Sequence, residues 1–155
     1  MTIIRKSIAA WLPVLAASSF IVTAAVGEGL VNFKIENGAV PQPLTGEPGN
    51  PARGRQIVRD MNHVTCLICH SMPIPEEPDH GEIGPPLAGV GSRFTASELR
   101  LRLIDPKAVN PATIMPSYYR VSNFMRVGES FRDRPIYTAQ QIEDVVAYLS
   151  LLKDN

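Results

Sequence analysis

The stretch Thr65-Cys66-Leu67-Ile68-Cys69-His70 holds the only two cysteines of a 155-residue chain, separated by two residues and followed at once by a histidine. Thiols at this spacing can form a redox pair, supply part of a zinc site, or anchor a larger group through two bonds. A purely structural disulfide explains little, because a bridge from Cys66 to Cys69 closes a very small loop and removes little entropy from the unfolded chain.

The alternatives make different demands on the rest of the sequence. A thioredoxin-like pair belongs at a strand-to-helix junction in a βαβ pattern, and no such pattern is present. A structural zinc site wants four nitrogen or sulfur ligands, and beyond Cys66, Cys69 and His70 only His63 and His80 remain. Cys-x-x-Cys-His is the attachment signature of c-type haem. Two thiols on one turn can add to the two vinyl groups, while the next residue brings its imidazole under the iron. The expectation is one covalently bound haem c on Cys66 and Cys69, with His70 as the proximal ligand.

In Met/His cytochromes a thioether holds the other face of the iron. Met61, His63 and Met72 lie too near the motif to reach that face and read as packing or surface residues. Met115 lies 45 residues beyond His70, in a loop held by Pro111 and Pro116, which is long enough for the chain to travel round the haem edge. Met115 is the expected sixth ligand and Met125 the reserve, with ordinary packing the other role for a lone methionine. His80, beside Glu76, Glu77 and Asp79, reads as a solvated loop residue. Arg93 suits a haem propionate, since guanidinium matches carboxylate, but reads equally as a surface arginine. Leu67 and Ile68 are expected to leave an apolar edge where a redox partner docks.

The N-terminus fixes the expected compartment. Arg5 and Lys6 precede an apolar run from Ile8 to Ala25, and small residues follow it. That is the pattern of a secretory signal over 1–27, cut near Ala24 to Gly27; an uncleaved anchor is the alternative. The remaining 128 residues or so make one domain. Removing Arg5 and Lys6 from the 15 basic residues leaves 13 against 15 acidic. No basic patch argues for nucleic acid, and no stable membrane insertion is expected after cleavage.

Several elements must position the motif. Residues 28–49 carry Pro41, Pro43 and Pro48 with no helical periodicity, and read as an extended arm. Asn50 and Pro51 suit the N-cap and first position of a helix running to about Met61. Gly54 is unfavourable inside a helix, so another element should pass close to it. Prolines at 73, 75, 78, 85 and 86 impose a long loop. Thr95 with Glu98 and Thr138 with Gln141 form capping boxes. The first opens a short helix ending before Pro106. The second opens a terminal helix with Ile142, Val145, Val146, Leu149 and Leu152 on one face. Strand signals are weak, so the domain over 50–155 reads as mainly α.

This order of parts resembles the class I cytochromes c: signal, helix, Cys-x-x-Cys-His, the loop "GPPLAGVGSRF" from Gly84 to Phe94, a Met-Pro loop, and an amphipathic last helix. The resemblance implies the class I cytochrome c fold, with first and last helices crossing at Gly54 against Tyr148 or Leu149. It implies Pro86 and Leu87 on the histidine side of the haem. The stretches "PLTGEPGNPARGRQIV", "CLICHSMPIPEE", "NPATIMPSYYRV" and "RPIYTAQQIEDVVAYLSLL" are further similar to the SoxX family, monohaem subunits of the sulfur-oxidising SoxAX complex.

That similarity implies a periplasmic electron-accepting subunit of an L-cysteine S-thiosulfotransferase complex, itself binding no substrate. Its partners would be a SoxA-like cytochrome, a SoxYZ-like carrier and a downstream electron acceptor. It carries the haem-linking pair onto Cys66 and Cys69 and the axial pair onto His70 and Met115. A stand-alone soluble class I electron shuttle is the alternative.

Overall fold

A computed structural model describes residues 29–154. The signal expected over 1–27 lies outside them. Five helices carry the architecture: α1 Pro51–Arg59, α2 Val90–Arg93, α3 Ala96–Ile104, α4 Pro106–Val109 and α5 Ala139–Leu151. Among the described residues the only β-pairing is an isolated bridge between Glu36 and Ala39.

Helix α1 starts where its sequence signals put it. The Asn50 side chain accepts from the N–H groups of Ala52 and Arg53 at 2.9 and 3.1 Å, and Pro51 occupies the first turn. It ends at Arg59, two residues short of expectation. There Asp60 turns extended and accepts the Asn62 N–H at 3.0 Å, a local side-chain bond that competes with another helical turn. Both capping boxes are complete, Thr95 with Glu98 opening α3 and Thr138 with Gln141 opening α5.

Helix α5 is the spine, and α1, α2 and α3 all pack on it, α1 most extensively. Val58, Ile104, Ile142 and Val145 are completely buried in that core, each worth about 1.5–3 kcal/mol relative to exposure. Gly54 makes the α1–α5 crossing possible, since a Cβ there would stand 1.9 Å from the Asp144 carbonyl oxygen and 2.9 Å from Tyr148 Cβ.

The segment before α1 lies against its own helices. Glu36 and Ala39 exchange backbone hydrogen bonds around a tight turn, with Asn37 and Gly38 both at positive φ. Val40 and Leu44 are buried. The Val40 N–H donates to Ser97 O at 3.0 Å, and Leu44 N–H donates to Glu143 Oε1 at 2.9 Å.

A buried ion pair fastens this segment. Arg100 of α3 meets Glu143 of α5 in a fork (Nε to Oε1 2.8 Å, Nη2 to Oε2 2.9 Å) and donates a further bond from Nη1 to Val40 O at 2.7 Å. With its lone pairs and donors satisfied, such a pair is tolerated in the core, but removing one partner strands the other.

Candidate haem site

Cys66, Leu67 and Ile68 form a single 3-10 turn capped by Thr65, whose hydroxyl accepts the Leu67 N–H at 3.3 Å and donates to Val58 O. The turn closes with the N–H groups of Cys69 and His70 both donating to Cys66 O, at 3.1 and 2.9 Å. It sorts its side chains sharply. Cys66 and Leu67 point into the core, Cys69 and His70 are half-buried, and Ile68 faces outward. Leu67 is therefore a core residue, not the docking residue its position suggested.

The two thiols are free. Burial, with the neighbouring Cys69, pushes the Cys66 thiol up to about 12. A thiol so protonated at neutral pH is itself a poor thiol–disulfide nucleophile. Among the described residues no group of three or more His, Cys, Asp or Glu side chains is placed to hold a metal ion.

The His70 ring is set by the following loop. Its Nδ1–H donates to Pro85 O at 2.7 Å, and its Nε2 makes no hydrogen bond among the described residues. The ring lies against Gly84, where a Cβ would come within 2.3 Å of it. A histidine held through Nδ1 by a carbonyl with Nε2 left over is the arrangement of an oriented metal-ligating imidazole. The loop is pinned in turn by Arg93, which donates from Nη1 to Ala88 O at 2.7 Å and from Nη2 to Pro86 O at 2.8 Å. Arg93 thus braces the loop behind His70, a role its sequence position did not reveal.

His80 departs from expectation. It is half-buried, its Nδ1 accepts the Met72 N–H at 3.3 Å, and its buried Nε2 has no hydrogen-bond partner among the described residues. Met72 is buried and Met61 exposed, as packing and surface residues.

Met115 is half-buried and packed against the core. Its loop is strapped on both sides. Lys107 Nζ donates to the carbonyls of Pro111 and Thr113 at 3.2 and 3.0 Å, and Tyr118 N–H donates to Leu103 O at 2.9 Å. Met125, by contrast, is 99% exposed. Tyr118 stacks on Tyr137 with ring centroids 4.8 Å apart, and Tyr137 OH donates to Val64 O at 2.5 Å. Burial raises the Tyr118 hydroxyl above its ordinary value. Neither tyrosine was singled out in the sequence, because their stacking depends on how the fold closes the stretch between residues 118 and 137.

The donor set suits a covalently anchored haem: two free thiols on one turn, an oriented imidazole, and a half-buried thioether on a separate loop packed against the same core. Two cavities of about 700 and 280 Å³ are lined by other residues. What speaks for the group here is the donor set and the Gly84 notch.

The Cytochrome c family model matches residues 51–153. A chain of the crystal structure of SoxXA from P. pantotrophus is similar at 39% sequence identity, over 79% of this chain and 95% of that one, with a TM-score of 0.73. No curated protein matches.

Proposed function

The chain belongs to the cytochrome c family and is a SoxX-like electron-transfer haem cytochrome of the class I fold, and on that premise we propose that it is the electron-accepting monohaem subunit of a periplasmic complex that oxidatively couples thiosulfate to a carrier-protein cysteine. A signal over 1–27 would export it, and an arm over 28–49 would precede the haem domain at 50–155. No helix among the described residues is long and apolar enough to cross a membrane. The similarity to a SoxXA chain supports a SoxA-like partner; a SoxYZ-like carrier and a downstream acceptor complete the assembly.

Cys66 and Cys69 would hold one haem, His70 Nε2 and the Met115 sulfur would take its axial positions, and the remaining Arg93 donors would serve a propionate. When bound, the haem supplies a one-electron acceptor. The protein's own part is orientation and exclusion. Pro85 O fixes the imidazole, Gly84 gives its ring room, and Leu67, Tyr118 and Tyr137 keep the surroundings apolar.

With His70 and Met115 both engaged in holding the haem iron, the chain would offer thiosulfate no open iron site, so the sulfur chemistry would fall to the partner. Joining the outer sulfur of thiosulfate to a cysteine thiol forms one S–S bond and releases one proton and two electrons. A single haem takes one of these at a time, so the partner's own redox centre or a second turnover must take the other.

The observation that carries this reading is His70, held at Nδ1 with Nε2 left over, beside the two free cysteines. The test is isolation of the native complex, with haem counted by intact mass on each subunit. One haem on this chain and a second haem protein bound to it are expected. A monomer with one haem and no such partner would leave the stand-alone shuttle; a chain without covalent haem would overturn the reading.

A further inference from the structure

The segment from Pro111 to Pro116 carries Met115, and little holds it in place. Pro111, Ala112, Ile114 and Pro116 are exposed, Ile114 at 82%, and Met115 is the one hydrophobic side chain of the segment packed against the core. Most of its hydrogen bonds are local. Ala112 N–H donates to Asn110 Oδ1 at 3.1 Å, Thr113 N–H to Asn110 O at 3.1 Å, and Met115 N–H to Thr113 Oγ1 at 3.2 Å. The two prolines have no N–H to give. Among the described residues the other hydrogen bonds to this segment both come from one atom, Lys107 Nζ, which donates to Pro111 O at 3.2 Å and to Thr113 O at 3.0 Å.

Lys107 has rigid neighbours. It follows buried Pro106 in α4, which packs against α3, whose Leu101 and Ile104 are completely buried. Both ends of the segment are fixed as well. Asn110 N–H donates to Pro106 O at 2.9 Å, and beyond Pro116 the Tyr118 N–H donates to Leu103 O at 2.9 Å. The stretch that bears Met115 is thus a flap with closed ends, gripped in the middle by a single ammonium.

We propose that Lys107 is the positioning residue that keeps Met115 on the iron, setting how often this flap opens and so how readily another small donor replaces the methionine sulfur. The proposal rests on the haem reading above. The exchange breaks one iron–sulfur coordinate bond and makes one to the incoming donor, with no electron transferred and, for neutral imidazole, no proton moved. A ligand that needs the open form binds with an apparent affinity scaled by the fraction open, so loosening the grip tightens binding of the intruder. Each carbonyl bond is charge-assisted but exposed to water, which makes the effect a moderate factor rather than an all-or-none clamp.

The test titrates neutral imidazole into the ferric holoprotein, with loss of the methionine charge-transfer band as readout, and follows the limiting rate of that loss at saturating imidazole. Lys107→Met should bind imidazole about fivefold more tightly than wild type and lose the band at a higher limiting rate. Lys107→Arg, which keeps a donor for each carbonyl, should stay within about twofold of wild type. Lys34→Met removes an exposed lysine of the segment before α1; it reports loss of charge alone and should match wild type. An affinity in Lys107→Met within about twofold of wild type, or an equal rise in either other variant, would overturn the proposal. Met115→Ala and intact mass separate the cases. Retention of the band in Met115→Ala, or a chain without covalent haem, means the haem reading has failed and takes the proposal with it; loss of the band there, with no change in Lys107→Met, removes only the grip.

Discussion

Gly54 of α1 and Asp144 of α5 touch backbone to backbone, so closely that a methyl group at position 54 would lie 1.9 Å from the Asp144 carbonyl oxygen. The obstacle is main chain, which cannot swing aside as a flexible side chain does. Gly54→Ala should therefore destabilise the holoprotein by about 3 kcal/mol, at the upper end of overpacking penalties, despite alanine's better helix propensity. Denaturant unfolding measures it, and a change below about 0.5 kcal/mol would mean the helices have room to part.

Met115 and Met125 are distinguished by burial as well as position, one half-buried against the core and the other fully solvated. The charge-transfer band that a methionine sulfur gives to ferric haem should vanish in Met115→Ala and persist in Met125→Ala. Loss of the band only in the Met125 variant would reassign the ligand.

Arg93 supports His70 through the loop rather than by touching it. Arg93→Ala removes two charge-assisted bonds from Pro86 O and Ala88 O, with an expected loss of about 1–2 kcal/mol in stability. Because Pro85 O sets the imidazole, the variant should also shift the reduction potential. Arg93→Lys, which cannot span both carbonyls as a fork, should recover little of either. A potential identical to wild type in both variants would confine Arg93 to a surface role.

Asp144 gives the pH dependence a definite sign. Burial pushes its carboxyl up, but bonds from Arg53, the Asn50 N–H and Gln140 outweigh this and hold it below its ordinary value of 3.8. Its stabilisation is thus complete above the unfolded value and is lost as pH falls through the lower folded one. Arg53 is 54% exposed on its side chain, so the contribution is on the order of 1 kcal/mol. Urea unfolding of wild type and Asp144→Asn should show a gap at neutral pH that closes between about pH 5 and about pH 2; a gap constant across that range would count against this account.

Local signals were the legible ones. Asn50 with Pro51, Thr95 with Glu98 and Thr138 with Gln141 each act within a few residues, and each opens its helix where its spacing indicates. Gly54 was readable as a close approach because a glycine in mid-helix needs a reason. The Arg100–Glu143 fork was not readable, since its partners lie 43 residues apart and both look like ordinary surface residues of amphipathic helices. Leu67 and His80 were misplaced for a related cause. Neighbouring in sequence to Ile68 or to Glu77 and Asp79 says nothing about which way one tight turn points, and a turn reverses exposure from one residue to the next. Arg93 as a brace depends on the path of the Pro85–Gly89 loop, which no periodic pattern encodes.

The Tyr118–Tyr137 pair has a consequence for engineering. Tyr137 N–H donates to Tyr118 O at 2.9 Å beneath the stacked rings, so the stretch between them leaves and re-enters the domain at one point. Its crest, at fully exposed Met125, is where a reporter peptide or a second protein can be spliced in. Doubling the length of such an excursion costs about 0.6 kcal/mol in closure entropy, and the extra chain extends into solvent while the closed base keeps Met115 in place.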